Sequence, residues 1–420
     1  MSYVPKFSIL MLITNLTFGG AQRVFFDHSQ LLATEHDVSE ITFNLADGHA
    51  FSTGNEILSL DVPGGGGPLA KLAHFVERVR ALAAIKRRRR PALTISHLEG
   101  ADYVNVLSRG VGKTLLVVHG SKLHDAKLSG PLGWLRRRIL IPRLYNRADA
   151  IVTVSREIGV ELETMGVRKS LIRPIHNFFN PAAIRQRSLE PLSAEEEAIF
   201  DGPPVLVTSG RLTLQKNQAA MIALFAELLK RRPARLLLLG DGELRQPLID
   251  QAKALGLSVG EGPGGDHDVF FLGFQDNPFR FQRHASLFML TSGWEGFPMV
   301  LGEAMVCGLP IVSADCPTGP REFLAPDTIG PDANRHAVRP LRVAENGDYG
   351  MLMPIPAVGD QASIDPWVET LDRLLGDSAE LKRLAAKSLA RAEDFSRDTI
   401  APQWLALIDE LLESPPATSA

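Results

Sequence analysis

Two glutamates, Glu295 and Glu303, lie on either side of a Gly-Phe-Pro turn in the stretch "SGWEGFPMVLGEA", which begins at Ser292. An apolar strand pattern precedes the turn, and a helical pattern begins near Pro298. The amides of such a turn and helix N-terminus favour a phosphate, whereas carboxylates favour hydroxyl groups. A ligand that carries both a diphosphate and a polyol is a nucleotide sugar. Taken separately, Glu303 could instead cap the helix and Glu295 could be a surface acid.

Two cations follow the first strand pattern of the second half, in the stretch "SGRLTLQKNQ". Arg211 and Lys216 stand between that strand and the next helical pattern. Two cations beside a helix N-terminus can hold a diphosphate. A solvated loop is the alternative interpretation of the same residues.

Three further loops follow strand patterns. Gly20 belongs to a glycine pair in "TNLTFGGAQRV", which lets a backbone approach closely, but the G-x-G-x-x-G of a dinucleotide site is absent. Glu243 follows "LGDG", where it would bind a ligand or cap a helix. Leu272, in "FFLGFQDNP", precedes a backbone segment that could face a nucleobase edge.

A histidine, His119, ends another strand pattern, in "LLVVHGSKLHD". A single histidine at the end of a strand is often structural, so this position alone leaves a catalytic role open. His124 and Asp125 are weaker candidates for the same role.

Strand and helix patterns alternate almost throughout the chain, which predicts parallel sheets with helices on both faces. Because two such series occur, we expect two doubly wound α/β domains, with ligands at the carboxyl ends of their strands and in the cleft between them. The predicted strands are 7–16, 39–45, 57–62, 92–97, 114–119, 150–155 and 171–176, then 204–209, 235–240, 269–273, 287–291, 310–314 and 350–353.

The domain boundary is predicted near residue 180, before the acidic stretch "LEPLSAEEEAIFDGPP". We expect an acceptor-binding domain over residues 1–180 and a nucleotide-sugar-binding domain over 181–395. The segment 396–420 should form a helix that packs back on the first domain and ends in a disordered tail.

Charge is distributed unevenly. Residues 1–190 contain 25 Lys/Arg and 16 Asp/Glu, whereas residues 191–420 contain 20 and 32. In the first half, Arg136, Arg137 and Arg138 lie among apolar residues in "WLRRRILIPRL", which favours contact with a membrane surface or a lipid-linked acceptor. The run "KRRRRP" fits either a phosphate-rich partner or a solvated helix end. A nucleic-acid partner is disfavoured because no binding motif accompanies these clusters.

Other features limit the setting and the cofactors. Two cysteines make no disulfide framework, and the N-terminus lacks the pattern of a signal peptide, so a cytoplasmic location is expected. The string Asp-His-Asp at 266–268 precedes a strand and is interpreted as a surface loop. We therefore expect neither a metal nor a bound cofactor.

The stretches "GGAQRV", "SGRLTLQKN", "LGDGELR", "FLGFQDN", "SGWEGFPMVLGEAMVCGLPIV" and "DCPTGPREFL" together resemble the ordered motifs of the family 4 glycosyltransferases. The resemblance covers nearly the whole chain and is strongest over residues 205–324. It implies the GT-B fold, two Rossmann-like domains facing a central cleft, and transfer with retention of anomeric configuration. One mild departure, "PIHN" in place of a Pro-Asn-Gly turn, affects only the expected hinge.

The resemblance also implies roles for individual residues. Glu303 would bind the ribose of the donor, Glu295 the donor sugar, and Arg211 with Lys216 the diphosphate. His119 matches an active-site histidine near the reacting sugar. The remaining implied contacts are backbone contacts to the phosphates, at Phe297, Pro298, Met299, Val300 and, from the first domain, Gly20.

The resulting prediction is a metal-independent, retaining glycosyltransferase. It would move a hexose or N-acetylhexosamine from a nucleotide diphosphate sugar, with UDP expected, to a lipid-linked or cell-surface glycan. We expect it at the inner face of the cell membrane as a peripheral protein. Alternatives are a different donor, a phosphorylase-like reaction, or a non-catalytic sugar-nucleotide-binding partner of a polysaccharide complex. A two-carboxylate hydrolase is disfavoured because it would not need the diphosphate site.

Overall fold

The computed structural model describes residues 6–17, 19–45, 53–124, 130–329 and 341–413. Asp125 and the predicted disordered tail beyond Glu413 lie outside these residues. The chain divides into two units. Unit 1 contains the residues up to Phe178 and those from Asp398 onward, and unit 2 contains Phe179–Arg397.

Unit 1 is built on a parallel seven-stranded sheet with the order β3-β2-β1-β4-β5-β6-β7. Its strands β1 and β4 are the point where the order reverses, and Ile13 of β1 lies in register with His97 of β4. The strands are β1 (Ser8–Ile13), β2 (Asp37–Thr42), β3 (Glu56–Ser59), β4 (Leu93–His97), β5 (Lys113–Val118), β6 (Ala150–Thr153) and β7 (Ile172–Pro174).

Unit 2 is built on an eight-stranded sheet with the order β10-β11-β9-β8-β12-β13-β15-β14, in which β14 alone is antiparallel. Its order reverses between β8 and β12. The strands are β8 (Val205–Ser209), β9 (Arg235–Leu239), β10 (Val259–Gly260), β11 (Val269–Phe271), β12 (Leu287–Leu290), β13 (Ile311–Ala314), β14 (Glu345–Asn346) and β15 (Met351–Met353).

Helices connect the strands in both units. In unit 1 they are Gly20–Leu32, Pro68–Arg89, Glu99–Leu107, Gly130–Leu135, Ile141–Tyr145 and Arg156–Thr164, and a π-helical turn, Arg136–Leu140, joins the fourth to the fifth. In unit 2 they are Pro181–Ser188, Ala194–Glu197, Gln218–Leu229, Arg245–Ala254, Phe279–Gln282, Met299–Val306, Pro320–Leu324, Gln361–Gly376 and Ser378–Glu393.

The last helix, Arg397–Glu413, carries the chain back from unit 2 into unit 1. Its Trp404 ring lies 4.0 Å, between centroids, from the ring of His28. At the edge of unit 2, the Phe179 amide donates to the Phe395 carbonyl, and the Arg397 amide donates to the Phe179 carbonyl. The first and last residues of unit 2 therefore lie side by side.

Each sheet is covered by apolar helix faces, as the alternating patterns predict. In unit 1, Leu10 and Leu12 of β1 pack with Leu82 of the helix Pro68–Arg89. In unit 2, Leu236 and Leu238 of β9 pack with Phe225 of the helix Gln218–Leu229. The predicted α/β class with two doubly wound sheets is confirmed. All thirteen predicted strands are present within a few residues, whereas the two-residue strands β10 and β14 were not predicted.

Candidate active site

The reversal between β8 and β12 brings two loops together at the carboxyl edge of the unit 2 sheet. The loop after β8 contains Arg211 and Lys216, and the loop after β12 contains Glu295. Loops at such a reversal are where open α/β sheets bind their ligands. The sequence placed both loops after strands, and the strand order makes them neighbours.

An ion pair joins the two loops. Lys216 Nζ donates to Glu295 Oε1 at 2.6 Å, and Ser292 Oγ donates to the same oxygen at 2.6 Å. Glu295 is only 5% exposed, so its charge needs these partners. Because both donors use Oε1, neither occupies the second carboxylate oxygen, Oε2.

Backbone and amide contacts fix the position of this ion pair. Asn217 adopts a left-handed conformation (φ 54°). This residue ends the loop that contains Lys216 and precedes the helix Gln218–Leu229. Its Nδ2 donates to the carbonyls of Thr291 and Pro356 at 3.2 and 2.8 Å. The Thr291 hydroxyl in turn donates to the Lys216 carbonyl at 3.1 Å. The loop that contains Lys216 and the loop that contains Glu295 are thus held together by hydrogen bonds as well as by the ion pair.

The stretch "DCPTGPREFL" makes hydrogen bonds and close contacts with the loop that contains Glu295. Thr318 Oγ1 lies 3.1 Å from the Glu295 carbonyl and 2.9 Å from the Gly296 carbonyl, and can donate its single proton to either. Gly319 has φ 98°, and a Cβ there would lie 2.7 Å from Pro298 Cδ, so only glycine fits. The motif therefore holds the Gly-Phe-Pro turn in place.

The helix Met299–Val306 follows this turn, with Pro298 at its N-cap position. Glu303 is its fifth residue and half-buried, which is too far along the helix for the N-capping role that was the alternative. A Cβ at Gly302 would lie 2.3 Å from the Phe179 ring, so glycine allows this helix to pack closely. Of the other residues named for phosphate contact, Phe297 is buried against Phe323, whereas Met299 and Val300 are half-exposed.

Three more of the predicted donor residues lie on loops at the same edge of the sheet. Arg211 and Glu243 are both exposed, and Glu243 precedes the helix that begins at Arg245. The Leu272 carbonyl accepts from Gln275 Nε2 at 2.8 Å. A Cβ at Gly240 would lie 1.9 Å from the Gly210 carbonyl oxygen, so the loops after β8 and β9 meet only because that residue is glycine.

The carboxyl edge of the unit 1 sheet carries the glycine pair. Asn15 Oδ1 accepts from the Thr17 hydroxyl at 2.7 Å and from Gln22 Nε2 at 2.9 Å, which shapes the loop before the helix Gly20–Leu32. A Cβ at Gly19 would lie 2.3 Å from Gln22 Oε1, whereas a Cβ at Gly20 would meet nothing within 4 Å. The atom near Gly19 is the end of a flexible side chain that can move, so packing gives no strict reason for glycine at either position.

His119 follows β5 and contacts a second histidine that sequence reasoning did not single out. His97, the last residue of β4, places its Nδ1 2.9 Å from His119 Nε2, and the rings stack 5.0 Å apart. Burial, together with the positive charge of Lys122, lowers the pKa of His119 to about 3. Burial also holds the pKa of His97 and His28 well below the usual range. All three imidazoles are therefore neutral at physiological pH.

The hydrogen bond between the two histidines indicates which ring nitrogen carries the proton in each of them. Among the described residues His97 Nε2 is buried and has no hydrogen-bond partner. A buried N–H without a partner is rarer than an unused acceptor, so the proton of His97 belongs on Nδ1. His119 Nε2 then accepts this proton, which leaves the His119 proton on Nδ1.

A charged cluster lies beside these histidines. Glu99 receives hydrogen bonds from Lys122, at 3.1 Å, and from Arg136 and Tyr103. Burial raises the pKa of Glu99, but Lys122, Tyr103 and Arg136 more than offset this and lower it to about 2. Arg136, which was predicted to contact the acceptor or a membrane, is thus held by Glu99 near the edge of the sheet. Of its neighbours, Arg137 donates to the Leu123 carbonyl at 3.2 Å and Arg138 is exposed.

The described residues also bear on metal binding and membrane crossing. Within the described ranges no group of three or more His, Cys, Asp or Glu side chains could hold a metal ion. The Asp-His-Asp string is used structurally, since Asp266 pairs with Arg235 at 2.7 Å and Asp268 accepts from the Ser258 amide at 2.8 Å. No helix in the described part of the chain is long and apolar enough to cross a bilayer.

Two doubly wound sheets, each with loops at its reversal point, are the architecture of the GT-B fold, and comparison with solved structures agrees. The chain superimposes on Anabaena HepE in complex with UDP with a TM-score of 0.69, 18% identity, and coverage of 96% of this chain and 100% of that one. For the sucrose-phosphate synthase of Thermosynechococcus elongatus the TM-score is 0.72, at 17% identity, with coverage of 96% and 99%.

The chain belongs to the family 4 glycosyltransferases. The model of Glycosyltransferase Family 4 matches residues 18–183, and the model of Glycosyl transferases group 1 matches residues 190–331. An uncharacterized glycosyltransferase of Methanocaldococcus jannaschii is 28% identical over 361 residues, which are 81% of this chain and 85% of that protein. A Campylobacter jejuni enzyme is 24% identical over 408 residues, 96% and 98% of the two chains. That enzyme is named as an N-acetyl-D-galactosaminyltransferase acting on an undecaprenyl-diphosphate-linked glycan.

Proposed function

We propose that the protein transfers a hexose or N-acetylhexosamine from a UDP-sugar to a hydroxyl of a lipid-linked or cell-surface glycan, with retention at the anomeric carbon. The observation that carries this proposal is the Lys216–Glu295 ion pair at the reversal point of the unit 2 sheet. It places a cation and a buried carboxylate beside glycine-rich backbone, as a ligand with both phosphate and hydroxyl groups requires. UDP in the HepE structure supports the choice of base.

The donor sugar is assigned to Glu295. Its Oε1 is already used by Lys216 and Ser292, so Oε2 accepts from a sugar hydroxyl. A carboxylate held on one side by a lysine cannot swing away, which favours one sugar orientation over others. Glu303 accepts from the ribose hydroxyls.

The diphosphate is assigned to Arg211, Lys216 and the backbone amides around Met299. In the reaction the bond between the sugar anomeric carbon and the diphosphate oxygen breaks, and a bond to the acceptor oxygen forms on the same face of the sugar. Negative charge then develops on the leaving diphosphate, and the two cations and the amides stabilise it. The acceptor proton passes to the departing phosphate oxygen. Gly20 contributes close backbone approach to the phosphates.

His119 is assigned a place near the reacting sugar. With its Nε2 bonded to His97, its Nδ1–H is the group that donates to a sugar hydroxyl. A neutral imidazole suits this role, because a cation at the same place would repel the positive charge that develops at the anomeric carbon.

The acceptor is assigned to unit 1, where Arg136, Arg137 and Arg138 lie among apolar residues. The Campylobacter jejuni relative, whose name gives an undecaprenyl-diphosphate-linked acceptor, supports a lipid-linked glycan. Such an acceptor places the protein at the inner face of the cell membrane as a peripheral protein.

A panel of nucleotide sugars tests the proposal. We expect one UDP-hexose or UDP-N-acetylhexosamine to raise the melting temperature and to release UDP slowly in the presence of EDTA. At 100-fold excess over the dissociation constant the stabilisation is about 2.7 kcal/mol. Lys216→Ala should abolish both effects, whereas Lys230→Ala, which removes an exposed lysine from the same unit, should leave them intact. The proposal is wrong if no nucleotide sugar in the panel binds.

A further inference from the structure

The helix Pro68–Arg89 of unit 1 has an apolar stripe on the side that faces away from the sheet. Leu69, Leu72 and Val76 are 84%, 61% and 38% exposed, and their spacing puts them on one face of the helix. We call these three residues the helix stripe. A different face of the same helix packs against the sheet through Leu82. Core packing therefore does not account for the helix stripe.

The same face becomes basic toward the end of the helix. Arg80 follows Val76 by one turn, and Arg87 continues the line two turns later, both exposed. Glu77 is the acidic side chain that borders the stripe. Lys86, by contrast, is buried, so the run "KRRRR" contributes four exposed arginines rather than five exposed cations.

A second apolar group is exposed on the segment between β5 and β6. Trp134 is 56% exposed, and Leu135 and Leu140 are also exposed, with Arg138 beside them. We call the three apolar residues the tryptophan patch.

The fold places the helix stripe and the tryptophan patch on the same side of the unit 1 sheet. The connections β3 to β4, β4 to β5 and β5 to β6 all advance in the same direction along the sheet. Because such crossovers are right-handed, their helices cover one face. The helix Pro68–Arg89 packs against Glu99–Leu107, which packs against Ile141–Tyr145. Both apolar groups also lie near the beginnings of their helical segments, hence toward the carboxyl edge of the sheet, where His119 lies.

We propose that the helix stripe and the tryptophan patch together form the surface by which unit 1 inserts shallowly into a bilayer that contains anionic phospholipids. Exposed leucine and tryptophan side chains bordered by arginines match the apolar interior and the negative surface of such a bilayer. A second copy of the chain fits less well, since pairing the same face twice would bring the arginine rows together. The inference rests on the proposed lipid-linked acceptor, which it would bring to the edge of the sheet that carries His119.

Sedimentation with vesicles tests the surface. The full chain is mixed with phosphatidylcholine vesicles that contain either no phosphatidylglycerol or 30 mol% of it (about one lipid in three). We expect salt-sensitive binding to the anionic vesicles and at least tenfold weaker binding after the double substitution Leu69→Asp and Leu72→Asp. The matched control is Leu189→Asp, which changes a leucine that is 63% exposed on unit 2 and should leave binding unchanged. Equal binding by the double variant and the wild type would overturn the proposal.

Fluorescence provides a second readout. Of the four tryptophans, Trp367 and Trp404 are buried and Trp294 is half-exposed, so Trp134 should give most of a blue shift on binding to anionic vesicles. Trp134→Phe should remove that shift. A shift that persists in this variant, or a concentration-dependent dimer that the Leu69/Leu72 double variant abolishes, would also overturn the proposal.

The donor reaction separates this inference from the proposed function. UDP release from the nucleotide sugar without vesicles should be the same in the wild type and the double variant. If vesicle binding fails while UDP release persists, the membrane surface is wrong and the proposed transferase stands. If UDP release fails in the wild type while vesicle binding persists, the proposed function is wrong.

Discussion

Lys216 Nζ lies 2.6 Å from Glu295 Oε1, across 79 positions of sequence, and the two side chains are 18% and 7% exposed. The pair joins the loops after β8 and β12, where the strand order of unit 2 reverses. The cation and the anion already neutralise each other without a ligand. Both side chains are therefore in position before a ligand binds, and binding requires no change in their conformation. In the proposed function, this prior arrangement suits a donor that has both phosphate and hydroxyl groups.

Glu295→Gln should lower turnover at least about 100-fold, because the amide keeps the size of the side chain but loses the charge that holds Lys216 and the sugar hydroxyl. Binding of UDP alone should fall less than binding of the UDP-sugar, since UDP lacks the donor sugar and is affected only through Lys216. Calorimetric titration with UDP and with the UDP-sugar measures the two effects separately. An equal loss of affinity for both ligands would contradict the assignment of Glu295 to the sugar.

His119 should remain neutral between pH 5 and pH 8, because burial and Lys122 lower its pKa to about 3. Selective ¹⁵N labelling of histidine, with His119→Gln to assign the signal, measures its titration. We expect no change in the His119 ring signals over that range, and a chemical shift that reports a proton on Nδ1. A midpoint near that of free histidine would show that the ring is exposed to solvent and charged.

His97→Leu should reduce turnover about tenfold or more while donor affinity is retained, because His119 loses the partner that fixes its tautomer and orientation. The leucine removes the donor to His119 Nε2, so we expect a loss of about 1–3 kcal/mol in stability, whereas His97 Nε2 has no partner among the described residues to lose. The ¹⁵N spectrum of His119 should change in this variant. Normal turnover together with an altered tautomer would show that the tautomer does not matter for transfer.

Gly20→Ala should raise the KM for the donor about tenfold and leave the melting temperature unchanged or slightly higher. No atom lies within 4 Å of a Cβ at this position, and alanine favours the helix that begins there. Gly67→Ala is the matched control, because Gly67 precedes the helix Pro68–Arg89 and its Cβ position is also open. Equal kinetics for the two variants would remove Gly20 from the donor site.

Lys86 should make the free energy of unfolding increase with pH between about 7 and 10. Burial, assisted by the positive charge of Arg109 and opposed by Asp149, lowers the pKa of Lys86 from 10.5 to about 7. Because the folded-state pKa is depressed, the stabilisation is complete above the unfolded-state pKa and is lost as the pH falls toward 7. At about 1.4 kcal/mol for each pKa unit, the difference between 10.5 and about 7 gives at most about 5 kcal/mol.

Urea unfolding at pH 7.5 and pH 9.5 measures this dependence. Lys86→Met should remove it, whereas Lys71→Met, which changes an exposed lysine of the same helix, should not. A wild-type stability that is constant over the interval would mean that Lys86 is charged in the folded protein, held by its hydrogen bonds to Asn105.

The sequence patterns predicted the elements and the loops on which the site residues lie, because a buried strand and an amphipathic helix each leave a periodic record. They did not predict which loops meet. The contact of Lys216 with Glu295 depends on the order of strands in the sheet, and no local pattern encodes that order. Thr318 was noted only as part of a motif, and its bonds to the loop that contains Glu295 became visible only in three dimensions.

The basic clusters show the same limit of prediction from local sequence patterns. Lys86 stands in a run of five cations, yet its position on the helix turns it inward, while its four neighbours are exposed. Arg136 stands in a run of three arginines, yet Glu99, 37 residues earlier, binds it. Charge counts locate such clusters, but helix phase and long-range pairing decide which members face solvent.

The adjacent ends of unit 2 have a topological consequence. Phe179 and Arg397 are hydrogen-bonded neighbours, so unit 2 is in effect an insertion between β7 and the last helix of unit 1. A guest domain whose ends meet can be removed and replaced by a short linker, or circularly permuted, without stretching the host chain. The native termini could thereby be moved into unit 2, and each unit could evolve or be exchanged with little effect on the chain path of the other.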